Sequence, residues 1–116
     1  MESKTKALAA VKASLEKKAL APLILELKGL TVIADYFVIC SGSSTTQVRA
    51  IADFIEEDLK KRGIKPVGIE GAENARWVLM DYGDVIVHIF EEETRAYYEL
   101  EKFWLDAPRI PIEGGK

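Results

Sequence analysis

Apolar and polar positions along this chain follow two rhythms, and the change from one to the other marks its elements. Lys6 to Lys18 carries Leu8, Val11 and Leu15 at three- and four-residue spacing among strong helix formers, which predicts a first helix. Pro22 ends anything helical before it. "LILEL", Leu23 to Leu27, predicts a short strand, and Gly29 separates it from a second apolar run that ends in "DYFVIC", Asp35 to Cys40. Both runs have the composition of buried strands. Val48, Ile51, Ala52, Ile55 and Leu59 then fall on one stripe, while Glu56, Glu57, Asp58, Lys60, Lys61 and Arg62 mostly face water. That is an amphipathic helix, and Gly63 supplies its stop.

The second half alternates with a period of two. "VGIE", Val67 to Glu70, predicts a short strand, and "GAENA" a loop. "WVLMDYGDVIVHIF", Trp77 to Phe90, predicts a β-hairpin turning at Gly83 with Tyr82 or Asp84 beside it. Val78, Met80, Val85, Val87 and Ile89 then share one face, a plain aliphatic core surface. Trp77, Leu79, Asp81, Ile86, His88 and Phe90 share the other. Large aromatics mixed with a carboxylate and an imidazole suit a sheet face that is partly covered and partly offered to a partner. A last helix is expected over about Glu92 to Leu105, packing Tyr97 or Tyr98, Leu100, Phe103 and Trp104. Pro108 and Pro111 lead into an extended, mobile tail over 108–116.

Composition narrows the class. At 116 residues, 48% of them hydrophobic, the chain has material for one core, so residues 1–107 are expected to form a single domain. No apolar run approaches the roughly 20 residues that cross a bilayer, and the alanine-rich, charged N-terminus lacks a secretory signal's apolar segment. No membrane contact and a cytoplasmic location are expected. One cysteine, Cys40, allows no internal disulfide, and one histidine allows no Cys/His zinc site, so no metal or cofactor is expected.

Charge is uneven. The net value is −3, yet Met1 to Leu20 holds five lysines against two glutamates, while Pro66 to Leu105 holds nine acids against three bases. The acidic half should repel a nucleic-acid backbone and attract a basic partner, so no direct nucleic-acid readout is expected.

The candidate chemistry is sparse. "CSGSSTTQ", Cys40 to Gln47, lies where a strand gives way to a helix. Ser44 followed by Gln47 fits a capping box, with the glutamine side chain reaching back to the Ser44 N–H. A phosphate loop would need a lysine and a second glycine, and both are missing. An enzymatic alternative is a nucleotidyltransferase-like protein binding a nucleotide at Gly42-Ser43. It would require two acids alternating along a strand about ten residues on, but Asp53 lies within the amphipathic helix and Ile55 follows it. Asp81 and Asp84 flank a turn and do not project together, so two-metal catalysis is unsupported and no enzyme is expected. His88 reads as a satisfied structural histidine, and Cys40 as a small core residue. Trp77 fits either a core or an interface anchor.

These blocks together carry a resemblance. "ADYFVICSGSSTTQVRAIADFIEEDLKKRG", Glu70-Gly71, "WVLMDYGDVIVHIF" and "RAYYELEKFWLDA" resemble the ribosomal silencing factor family (RsfS, or Iojap) over about Lys6 to Ala107. The resemblance implies an α/β fold, a single-domain mixed β-sheet with flanking helices that is nucleotidyltransferase-like without catalytic residues. It also implies a translation regulator that binds the fourteenth protein of the large ribosomal subunit and blocks joining of the small subunit under nutrient limitation. Carried onto this sequence, the partner contacts would be Trp77, Leu79, Met80, Asp81 and Tyr82, with Asp84 and Glu70 beside them. Met80 stands against that assignment, because strand alternation puts it on the aliphatic core face. Oligomeric state stays open, and a homodimer is compatible with the sequence.

Overall fold

Why two helices end up on one side of a sheet and only a broken one on the other follows from where the alternating strands put their large side chains. The computed structural model describes residues 1–112 and runs α1 (Ser3–Glu16), β1 (Leu20–Glu26), β2 (Tyr36–Gly42), α2 (Thr45–Lys61), β3 (Gly68–Glu70), β4 (Trp77–Asp81), β5 (Val85–Glu91), α3 (Glu92–Tyr98) and a 3₁₀ helix at Leu100–Trp104. The five strands form one mixed sheet in the order β1-β2-β5-β4-β3. β2 and β5 pair in parallel at its centre, from Tyr36 opposite Val85 to Gly42 opposite Glu91, and the other neighbours are antiparallel. Both central strands are almost wholly buried, as β-branched runs in a doubly covered parallel pair should be. The single-domain mixed α/β architecture with flanking helices is as expected.

α2 seals one face. Val48, Ile51, Ala52, Ile55 and Leu59 are its buried residues, matching the expected stripe. Its C-terminus is a Schellman motif: Gly63 N–H donates to the Lys60 carbonyl at 2.9 Å and Ile64 N–H to the Leu59 carbonyl at 2.9 Å, with Gly63 at φ +81°. At the N-terminus the Ser44 hydroxyl accepts from Gln47 N–H at 3.1 Å. The return bond differs from the expected box, because Gln47 Oε1 accepts from Ser43 N–H and the Ser43 hydroxyl rather than from Ser44 N–H. Gln47 Nε2 meanwhile donates to the Lys17 and Lys18 carbonyls just beyond α1. One side chain therefore starts α2 and finishes α1, which gives Ser43, Ser44 and Gln47 a capping role. Gly42 belongs to this packing too, since a Cβ there would sit 3.0 Å from the Val48 side chain.

α1 departs from the expected stripe. Its buried positions include Ala7, Ala10, Val11, Ala13 and Ser14, whereas Leu8 is exposed and Leu15 only half-buried. Small side chains let the helix lie close against both sheet and α2, and leucine spacing alone misses a face made of alanine.

The C-terminal helix is also not continuous. Glu99 adopts a left-handed conformation, φ +47° and ψ 51°, between α3 and the 3₁₀ helix. Arg95 and Glu101 are six apart, so on an unbroken helix they would stand about 120° apart around the axis and about 9 Å apart along it. The break folds the chain so that they pair at 3.0 Å, while Arg95 Nη1 also donates to the Ala21 carbonyl and the Ser41 hydroxyl at 2.9 Å each. Leu100 and Trp104 pack on the sheet, but Tyr97 and Phe103 are turned outward, 80% and 76% exposed. The stretch from Pro108, expected as a mobile extended tail, is extended but tied down. Glu26 N–H donates to the Pro108 carbonyl and Ile110 N–H to the Ile24 carbonyl, and Arg109 bridges Leu25 on the β1 edge. The last four residues of the tail lie outside the described residues.

Candidate partner-binding face

The hairpin pairs Trp77 with Phe90, Leu79 with His88 and Asp81 with Ile86, and its turn falls at Gly83 and Asp84. β3 adds Glu70 beside Leu79 and Gly68 beside Asp81. Since side chains alternate, Glu70, Trp77, Leu79, Asp81 and His88 share the sheet face opposite α1 and α2. α3 packs over β5 and β2, and Leu100 and Trp104 extend that cover around Phe37, Ile39 and Phe90. Toward β4 and β3 the cover stops. Leu79, Trp77 and Asp81 are half-buried, and Glu70 is exposed.

Trp77 forms the ridge of this uncovered region. On one side lies a recess of about 270 Å³ lined by Glu70, Gly71, Trp77 and Leu79. On the other is a cleft of about 520 Å³ that it shares with Arg76, Glu91, Glu93, Tyr97 and Tyr98. Its indole lies 4.7 Å from the Phe90 ring and 5.0 Å from Tyr98, centroid to centroid, and its Nε1–H donates to His88 Nδ1 at 3.1 Å. The loop before it is tightly held. Gly71, at φ +83°, passes so near the Trp77 carbonyl that a Cβ would lie 2.1 Å from its oxygen, and Arg49 of α2 donates to the Ala72 and Glu73 carbonyls. No other residue fits at position 71, which gives the Glu70-Gly71 pair a physical reason.

Three of the residues expected as contacts have structural tasks of their own. Met80 is fully buried among the side chains beneath α1 and α2, and Tyr82 is 4% exposed in the same cluster. Alternation sends Met80 inward, and Tyr82 just beyond the end of β4 keeps to the same side, so neither reaches a partner without repacking the core. Burial pushes the Tyr82 phenol up to about 12, with Glu56 adding to the effect. Asp84 lies in the turn and accepts from Lys6 Nζ at 2.6 Å, clasping α1 to the hairpin. Asp81 has a local task as well, accepting from Gly83 N–H at 2.8 Å, but its carboxylate stays on the uncovered face.

His88 is only half satisfied, contrary to the expectation of a satisfied histidine. It is 4% exposed, and burial pushes its pKa down to about 4, so it is neutral near pH 7. Its Nδ1 accepts from Trp77, so the proton sits on Nε2, which is buried with no hydrogen-bond partner among the described residues. Cys40 is buried, and its thiol is pushed up to about 12 by desolvation. Asp53 is exposed on α2 while Ile55 is buried, so Gly42-Ser43 gains no pair of carboxylates. Among the described residues no three His, Cys, Asp or Glu side chains gather as metal ligands, and no helix is long and apolar enough to cross a membrane.

Sequence reasoning offered Tyr98 only as one of two tyrosines packing the last helix; the structure sets it at the end of α3, with its ring 5.0 Å from the Trp77 indole.

Known proteins resemble this chain in sequence and fold. The family model described as ribosomal silencing factor during starvation matches residues 1–116. A ribosomal silencing factor RsfS from Halalkalibacterium halodurans is 50% identical over 105 residues, which cover 90% of each chain. A crystal structure of a protein from Chromobacterium violaceum aligns with a TM-score of 0.88 at 32% identity, over 99% of this chain and 95% of that one. A mouse protein named mitochondrial assembly of ribosomal large subunit protein 1 is 41% identical over 73 residues, 60% of this chain and 32% of that protein.

Proposed function

Because this chain belongs to the ribosomal silencing factor family, a group of ribosome-associated regulators of translation, we propose that it binds the large ribosomal subunit through its fourteenth protein. Bound there, in the cytoplasm, it blocks joining of the small subunit and lowers translation when nutrients are short. The observation that carries this reading is the uncovered end of the sheet, where Trp77, Leu79, Asp81 and Glu70 stand on one face while every other large side chain of β4 is buried. A half-buried tryptophan flanked by a leucine supplies the apolar centre of an interface, and the carboxylates around it supply the rim. Glu70 borders the Leu79 side, Asp81 follows two positions along β4, and Glu91 and Glu93 border the Tyr97 side.

The mechanism is steric. An interface of ordinary size buries about 800 Å² on each partner, and the bulk of the domain then occupies space the small subunit needs. The acidic rim would hasten encounter with a basic ribosomal protein. The experiment is sedimentation with separated ribosomal particles. The chain should travel with free large subunits, be displaced as small subunits are added, and be captured by the isolated fourteenth protein. Co-migration with small subunits or with joined ribosomes would contradict the reading.

A further inference from the structure

The geometry points to His88 as a positioning residue that fixes the orientation of the Trp77 indole for docking, an inference that rests on the proposed role of Trp77. Phe90 and Tyr98 bracket the indole at 4.7 Å and 5.0 Å. Ring stacking has little sense of which edge points inward. The bond from Trp77 Nε1–H to His88 Nδ1 does, because turning the indole over would carry its N–H away from its acceptor. His88 itself cannot move to follow. It is packed edge-on against Phe37 at 4.6 Å, lies 6.3 Å from Phe90, and pairs through its backbone position with Leu79.

The arrangement costs stability that an apolar side chain would not. Nε2–H is left buried without a partner among the described residues, and a phenylalanine between Phe37 and Phe90 would carry no ring N–H to bury. A histidine is needed here for its acceptor. With the acceptor removed, an indole with its N–H turned to water competes, and apparent affinity falls with the fraction still in the docking orientation.

The test compares His88→Phe and His88→Asn with the unaltered chain. Phenylalanine keeps the ring and removes the acceptor, and asparagine returns an oxygen near the place of Nδ1. His88→Phe should keep a cooperative melt at or above the original temperature, yet bind large subunits about fivefold more weakly. The Trp77 indole N–H resonance should lose its protection from solvent exchange in the same variant. His88→Asn should recover part of both. In a Trp77→Ala background, His88→Phe should cause no further loss, since its effect passes through the indole.

Unchanged binding by a folded His88→Phe whose indole N–H has become free overturns the inference, provided Trp77→Ala does weaken binding. Should Trp77→Ala bind as well as the unaltered chain, the docking reading itself fails. If His88→Phe does not fold, nitrogen spectra of the unaltered protein decide. An unprotonated Nδ1 and a protonated Nε2 at pH 7 support the inference, and the opposite tautomer overturns it.

Discussion

Met80 and Leu79 are neighbours in β4, similar in size and apolar character, and the fold gives them opposite tasks. Met80 points under α1 and α2 into an aliphatic cluster with no exposed surface. Leu79 points to the face where the helical cover ends, beside Glu70, Trp77 and His88. The same contrast separates Tyr82 from Asp81. A sheet closed by two helices on one face can hold its shape while the other face keeps an aromatic ridge half exposed. The difference teaches that stability and recognition are sorted by strand alternation, one residue at a time.

Substitutions on the two faces should therefore fail in different ways, and the largest effect belongs to the closed face. Met80→Ala should lower unfolding stability by about 2–5 kcal/mol in denaturant titration and leave the affinity of the remaining folded protein unchanged. Leu79→Ala, half-buried, should cost only about 1 kcal/mol. Equal losses of stability at the two positions would dissolve the contrast.

Next comes acid. His88 has a folded pKa near 4 against 6.5 for the free group, depressed by burial. Between those values the unfolded chain holds the extra proton, so stability rises with pH through the window. It is complete above about pH 6.5 and falls by roughly 3 kcal/mol by pH 4. Melting measured across this range should show the decline, and His88→Phe should flatten it.

Capping should matter less. Ser44→Ala removes the acceptor for Gln47 N–H and should cost about 0.5–2 kcal/mol of stability while leaving ribosome binding intact. Weaker binding with an unchanged melt would return the hydroxyl cluster to candidacy as a site. The smallest effect is expected from Asp81→Lys. Its carboxylate lies at the rim, so the change should slow association with the large subunit, and the difference should shrink as salt rises.

Much of this division could be read from the sequence. The α2 stripe and the sidedness of the hairpin follow from apolar spacing, because each is a regular repeat of one period. The fold class came through the same regularities together with the family resemblance. What escaped was set by partners distant in sequence. The α1 face is built of alanines, whose packing depends on the closeness of α2 and the sheet. The Glu99 break serves Arg95, which must reach Glu101, Ala21 and Ser41 together. Tyr98 beside Trp77, and Pro108 to Ile110 along the β1 edge, are likewise contacts between segments far apart in sequence. At the candidate face, Trp77, Leu79 and Asp81 are legible as residues on one side of a strand pair, whereas Glu70 comes only from the family resemblance. Met80, Tyr82 and Asp84 were drawn in with them because a motif is contiguous in sequence, whereas a surface takes only alternate positions.

The central claim is that the uncovered end of the sheet, with Trp77 at its ridge, is what meets the ribosome. Titrating the unaltered chain and Trp77→Ala into a subunit-joining assay tests it most directly, with a cooperative melt required of both proteins. Truncating a central aromatic anchor commonly costs about 2 kcal/mol or more, so the variant should need roughly 30-fold more protein to block joining. A well-folded Trp77→Ala that blocks joining at the same concentration as the unaltered chain would contradict the account and move the search for the interface to another surface.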